Sequence, residues 1–302
     1  MHSRHTRGHP ALGLLVGLGL AAASPALATP IIGVVGPTTL IGFDSAAPGT
    51  VTTTLTVTGL GGELIRGIDT RPATGQLYAL GQSGTLFTIN TTTGVATAIA
   101  GVVPVTAGDL DFGIAFNPVP DRLRVVTASD LNLRVNPTTG ATVTDTPLSY
   151  AAGDRNAGAN PLVTAAAYTN QVAGATTTAL YGIDAAQSTL VLQNPPNAGT
   201  LTTIGSLGLS LFSNGFGVGF DIDAASGVAF ASLVSQTGGN GLYTINLITG
   251  SASLLGEFGL NTVRDIAVGT LGPVAVPEPS TLALFGLALA GLVGLRRRPN
   301  HA

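Results

Sequence analysis

A chain of 302 residues with 9% charged side chains and no cysteine can rely on neither disulfides nor thiol chemistry. All twelve of its Lys-plus-Arg residues are arginine, and between Thr29 and Val276 seven arginines stand against fourteen acidic residues. That balance lacks the clustered cations that nucleic-acid phosphates require. The four histidines, His2, His5, His9 and His301, lie near the ends. The central body is therefore without His, Cys, Lys or Trp, and the commonest nucleophiles and general bases are missing from it.

Taken in order, the chain opens with Arg4 and Arg7, an apolar stretch from Ala11 to Ala23, and the small-x-small triplet Ala26-Leu27-Ala28. Basic, apolar and cleavage regions in that order predict a secretory signal peptide over residues 1–28. The apolar stretch is shorter than the ~20 residues that span a bilayer, which separates it from a permanent anchor.

From Ile31 onward there is no helical periodicity. Short Val, Ile, Thr and Leu runs alternate with Gly, Pro, Asn and Asp turns, the pattern of an all-β domain over residues 29–272. One unit recurs. Gly84–Asn90 precedes Thr92-Thr93-Gly94, Leu131–Asn136 precedes Thr138-Thr139-Gly140, and Gly241–Asn246 precedes Ile248-Thr249-Gly250. With looser copies at Asp44 and Gln193, the period is roughly 40–50 residues, and each full copy has two further strands ahead of it. Four strands at that period predict a β-propeller with five blades. The N-terminal unit lacks a first strand, while Val263–Val268 resembles a first strand with no unit after it. Pairing Val263–Val268 beside Ile31–Val35 closes the ring and removes an exposed sheet edge.

Several motifs then stand in one order. They are Gly67-Ile68-Asp69, Arg71-Pro72, Asn117-Pro118, Asp121-Arg122-Leu123-Arg124, Leu133-Arg134-Val135 and Ala166-Ala167-Tyr168-Thr169-Asn170. On these the body resembles a bacterial family known as domain of unknown function 4394. The resemblance implies an exported, propeller-like domain and brings no catalytic residues. Its polar motif members here are Asp69, Arg71, Asn117, Asp121, Arg122, Arg124, Arg134, Tyr168 and Asn170.

Most of these residues have a structural reading. Pro presets a turn and Gly permits positive φ, which accounts for Arg71-Pro72-Ala73-Thr74-Gly75 and for Asn117 to Asp121. Arg122 and Arg124 are two apart on a strand and share a face, with Asp121 or Asp130 as expected partners; the alternative is that their guanidinium groups bind an acidic sugar or phosphate. A candidate ligand rim is expected where blade-to-blade links emerge, carrying Asp109, Asp111, Tyr150, Asp154, Arg155 and Asn156. Asp109, Asp111, Asp154 and Asn156 are oxygen donors of the kind Ca²⁺ takes, without any standard calcium-loop spacing. No other cofactor is expected. A two-carboxylate glycosidase or a lyase is the enzymatic alternative, but the body has no Trp and few Tyr to stack sugars, so a non-catalytic role is expected.

The chain finishes with Pro277-Glu278-Pro279, an apolar stretch from Leu282 to Leu295, and Arg296-Arg297-Arg298. Residues 273–302 are similar to the PEP-CTERM sorting signal of Gram-negative bacteria. That similarity implies recognition by an exosortase after passage through the secretion machinery, cleavage near Pro277-Glu278-Pro279, and delivery to the cell envelope or extracellular matrix. Arg296–Arg298 are then a stop-transfer cluster, and a short transmembrane helix holds the protein transiently at the inner membrane. The expected partners are exosortase and exopolysaccharide (a biofilm matrix component) or another exported protein, with no nucleic acid.

Overall fold

The computed structural model describes residues 28–272 except positions 107, 110, 111, 213, 260 and 261. All but one residue of the predicted signal peptide, the sorting motif and the predicted transmembrane helix lie outside the described residues, as does Asp111. Among the described residues no helix is long and apolar enough to cross a membrane.

The chain starts with β1 (Pro30–Val35), β2 (Thr39–Asp44) and β3 (Ala47–Thr56). Blade 1 follows as β4 (Ile65–Arg71), β5 (Gln76–Gly81), β6 (Thr85–Ile89) and β7 (Ala96–Val102), and blade 2 as β8 (Phe112–Asn117), β9 (Arg122–Thr127), β10 (Asn132–Val135) and β11 (Thr142–Thr144). After β12 (Ser149–Tyr150), blade 3 is β13 (Val163–Tyr168), β14 (Leu180–Asp184), β15 (Thr189–Gln193) and β16 (Thr200–Ser206). Blade 4 is β17 (Val218–Ile222), β18 (Ala229–Val234), β19 (Asn240–Ile245) and β20 (Ala252–Glu257), and the chain returns as β21 (Val263–Val268).

These strands form five antiparallel sheets, and the closing blade runs β21-β1-β2-β3. Ile31 pairs with Val268, Ile32 with Ala267 and Val35 with Val263, the closure expected from the unmatched strands. The protein is a five-bladed β-propeller. Its innermost strands β4, β8, β13, β17 and β21 adjoin in sequence and close into a ring. Blade 3 differs from the four-strand expectation, because β12 adds a short parallel strand to the outer edge of β16 (Ser149 opposite Thr200, Tyr150 opposite Leu201).

Unbroken burial along inner strands, as at Val163–Tyr168 and Val218–Ile222, explains why the blades stack. Each sheet has two apolar faces, and the core is divided into five wedges, one between each neighbouring pair of blades. Phe43 meets Phe258 edge-on across one wedge, and Tyr78 meets Phe116 across another.

The repeated Thr-Thr-Gly turn has two jobs. The Asn90 carboxamide oxygen accepts the N–H groups of Thr92 and Thr93, and Asn136 and Asn246 do the same in their blades. Gly94, Gly140 and Gly250 then take φ of +75°, +70° and +81°. A Cβ at Gly140 would lie 1.9 Å from the Ala100 carbonyl oxygen of the preceding blade, and one at Gly94 would lie 2.3 Å from that of Thr56. Glycine is thus required both by the turn and by the close approach of neighbouring blades.

Candidate functional site

Antiparallel pairing sends the loops joining the first and second strands of each blade, such as β8–β9, to one end of the ring and the blade-to-blade links to the other. In blade 2, Asn117 pairs with Arg122 at the first end and Phe112 with Thr127 at the second. At the first end, between blades 2 and 3, lies a pocket of about 160 Å³ lined by Asn117, Pro120, Arg122, Arg124, Arg134, Tyr168 and Asn197. It gathers five of the nine polar family-motif residues in one place.

Arg124 is the centre of this pocket. It lies in β9, which is buried at every position from Leu123 to Thr127, and is itself 1% exposed. Its Nη1 donates to Asn132 Oδ1 at 2.7 Å and Asp145 Oδ2 at 2.8 Å, its Nη2 to Asn197 Oδ1 at 2.7 Å, and its Nε to the Tyr168 hydroxyl at 3.5 Å. Arg134 holds the same carboxylate from the pocket side through Nε (2.7 Å) and Nη2 (2.9 Å). These two hydrogen-bonded guanidinium groups keep the Asp145 carboxyl below the usual carboxylate range against its own burial, and the carboxylate in turn raises Arg134. Arg122 donates from Nη1 to the carbonyls of Pro120 and Asp121 and, among the described residues, forms no ion pair.

The partner assignments expected from sequence are corrected here. Asp121 pairs with Arg71 of blade 1, not with Arg122 or Arg124; Arg71 Nε donates to Asp121 Oδ1 at 2.9 Å and its Nη2 to Oδ2. Arg71 also reaches the Tyr78 hydroxyl. The hydrogen bonds to Arg71 hold the Asp121 carboxyl down. Asp145 and Asn197, which complete the pocket, carry no sequence signal. Each sits in a connection after its neighbouring strand, 21 and 73 residues from Arg124. Asn170 closes a turn by donating to the Thr177 carbonyl.

Asp69 belongs to a different device. Its Oδ2 accepts the Phe116 N–H of blade 2 at 2.5 Å. Asp265 Oδ2 accepts the Ile68 N–H of blade 1 at 2.7 Å, and Asp221 Oδ2 accepts the Val268 N–H at 2.6 Å. Three junctions of the inner ring are thus clasped by a buried carboxyl that satisfies a donor on the next strand's inner edge. Burial, with the Asp221 charge next in size, holds Asp69 well above the carboxylate range; burial pushes Asp221 up to about 7 against the pull of its two amide donors. The signal for Asp221 was present in Gly219-Phe220-Asp221, which repeats Gly67-Ile68-Asp69.

At the opposite end, the expected ligand rim is dispersed. The connection bearing Asp154, Arg155 and Asn156 lies along the outer strand β16. Asp154 accepts the Thr203 N–H at 2.6 Å and its hydroxyl at 2.7 Å, Asn156 donates to that hydroxyl, and Arg155 donates to the Ile204 carbonyl. Those hydrogen bonds outweigh burial and keep the Asp154 carboxyl low. Tyr150 is buried and donates to Asp184 Oδ2 at 2.5 Å, and burial with that bond raises its phenol. Asp109 accepts the Ser129 hydroxyl at 2.7 Å. Near it Asp130 is pushed up to about 6, by burial first and then by the charges of Asp184 and Asp109. Among the described residues no group of three His, Cys, Asp or Glu is arranged to hold a metal ion. An open concavity of about 500 Å³ between blades 3 and 4, lined by Gln187, Ser188, Ser210 and Gln236 among others, offers neither charge nor an aromatic face.

The closed ring and its sparse, hydrogen-bonded polar sites define a propeller of the rigid-scaffold kind. Residues 39–267 match the family described as domain of unknown function 4394, and the chain belongs to that family. Residues 275–298 match the PEP-CTERM protein-sorting motif, which marks the chain for exosortase-dependent export to the cell envelope or surface. A search of curated proteins finds no significant match. Among solved structures, a protein of unknown function from Bacteroides thetaiotaomicron is similar at 17% identity and a TM-score of 0.51, with 82% of this chain and 66% of that one covered. The glutaminyl cyclase of Myxococcus xanthus aligns at 16% identity and a TM-score of 0.43, over 65% and 77% of the two chains. A nidogen/laminin complex aligns at 12% and 0.42, over 62% and 63%. These likenesses bear on the fold alone.

Proposed function

We propose that the protein is a non-catalytic binding propeller of the envelope or extracellular matrix, with exopolysaccharide as its partner and its tail removed on delivery. The observation that carries this reading is the arginine pocket. Three of the seven arginines of an otherwise acidic body converge on one concavity with a single contacting carboxylate. Binding sites on rigid rings sit in such end-on depressions. The lining of the pocket carries no His, Cys, Lys, Asp or Glu to serve as nucleophile or as carboxylate acid and base.

Purified protein is expected to co-sediment with exopolysaccharide from an exosortase-bearing bacterium. Absence of retention at every salt and calcium concentration tried would count against the reading. One observation favours the enzymatic alternative. Asp130, raised to about 6 beside Asp109 and Asp184 at the other end, has the proton affinity of a general acid. Depolymerisation of a polysaccharide, abolished by Asp130→Asn, would establish that reading instead.

A further inference from the structure

The hydrogen-bonding capacity left in the pocket is almost entirely of one sign. Asn117 Oδ1 accepts the Val119 N–H at 3.1 Å, so its contribution to a ligand is the Nδ2 donor. Asn197 Oδ1 is taken by Arg124, again leaving a donor amide. Asn132, behind the pocket, is saturated: its oxygen accepts from Arg124 and Gln193, and its nitrogen donates to the carbonyls of Thr146 and Pro196. Both oxygens of Asp145 are held by arginine. The acceptors have been consumed by the protein, while Arg122, in no ion pair among the described residues, and Arg134, whose Nε and Nη2 hold Asp145, line this space as donors.

A neutral sugar hydroxyl both donates and accepts, and a wall of donors leaves its hydrogen without a partner. A carboxylate only accepts, and its planar pair of oxygens matches the guanidinium fork. Volume narrows the choice. At about 160 Å³ the pocket takes the carboxylate edge of one sugar rather than several residues of a chain, since ~150 Å³ holds a ring the size of benzene.

Resting on the polysaccharide-binding reading above, we infer that the pocket between blades 2 and 3 recognises a single uronic-acid unit of an acidic exopolysaccharide through its carboxylate. Arg122 and Arg134 contact that carboxylate, Asn117 and Asn197 donate to it or to ring oxygens, and the Pro120 ring forms an apolar wall. Arg124 is a positioning residue. It is too deeply buried and too fully bonded to greet a ligand, but it fixes Asn197, Asp145 and, through Asp145, Arg134.

The test is calorimetric titration of the purified full-length chain with glucuronate, with glucose, and separately with inorganic sulfate and phosphate. Glucuronate is expected to bind at least about tenfold more tightly than glucose and to weaken as salt is raised. Arg122→Gln is expected to lower glucuronate affinity at least about tenfold while leaving the thermal midpoint in place, because its side chain donates to backbone carbonyls of its own turn. Equal binding of glucose and glucuronate, tighter binding of sulfate or phosphate than of glucuronate, or full affinity in Arg122→Gln would each overturn the inference. The two readings fail separately. Retention of neutral exopolysaccharide without glucuronate binding sinks the uronate inference and leaves the binding propeller; glucuronate binding without retention of any polysaccharide does the reverse.

Discussion

The ring joins its blades in two electrostatically opposite ways. Between blade 4, the closing blade, blade 1 and blade 2, buried Asp221, Asp265 and Asp69 reach across to a backbone N–H of the next inner strand. Between blades 2 and 3, Ala115 occupies the place that Asp69 has in its own repeat, and the junction is held further out by Arg124 reaching Tyr168 and Asn197. The first kind of junction buries a carboxyl, and at Asp69 and Asp221 burial raises its hold on its proton. The second surrounds one carboxylate with two guanidinium groups and leaves positive charge over. The difference teaches where a ligand is to be sought: the clasps are complete in themselves, whereas the arginine junction has donors to spare.

Breaking the arginine junction has the largest expected effect. Arg124→Met leaves Asn197 Oδ1 without its donor, Asn132 Oδ1 with Gln193 alone and Asp145 with one arginine instead of two, a loss of about 3 kcal/mol measured by urea unfolding at pH 7. The clasps are next, and their signature is pH dependence. Asp221 has a folded pKa of about 7 against about 4 when unfolded, so the folded state holds the extra proton between those values. Its stability contribution is full below pH ~4 and is lost as pH rises through 7. Asp145 and Asp121, held low, act in the other direction: their contribution is present above pH ~4 and lost as pH falls through their folded values. The unfolding free energy is therefore expected to fall between pH 5 and 8, by on the order of 2 kcal/mol, and Asp221→Asn is expected to flatten that slope whatever it does to the stability itself.

Smaller effects sharpen the contrast between the ends. Tyr150→Phe removes the hydroxyl held by Asp184, and a cost of about 1–2 kcal/mol in thermal unfolding is expected, with no change in polysaccharide retention. Arg122→Gln is expected to shift stability by less than about 0.5 kcal/mol and yet reduce retention most, which separates binding from folding.

The architecture was legible because it is periodic. Asn-x-x-Thr-Gly turns, their spacing, and the complementary loose ends at Ile31–Val35 and Val263–Val268 mark the blades and their closure in the sequence. The polar members of the site were also visible, but as separate motifs. Arg122 and Arg124 looked like partners of Asp121 because Asp121 is adjacent, whereas a positive φ of 51° at Asp121 turns the chain and its carboxylate is taken by Arg71, fifty residues earlier. Asp145 and Asn197 belong to connections, where no repeat constrains the residue type; Asp145 is brought to Arg124 within blade 2, where its N–H bonds the Asn132 carbonyl, and Asn197 by the packing of blade 3 on blade 2. Asp154 and Asn156 had the composition of a ligand loop, yet β16 lies close enough for Thr203 to bond both. Local pattern specifies strands and turns; contacts between blades depend on the closed ring.

The most direct test of this account is a crystal structure of the protein soaked with an acidic oligosaccharide. Difference density is expected between Arg122 and Arg134, with a carboxylate against the guanidinium groups and the ring beside Pro120. Density at the opposite end, near Asp109 and Asp130, or an empty arginine pocket in crystals whose protein binds the same oligosaccharide in solution, would contradict it.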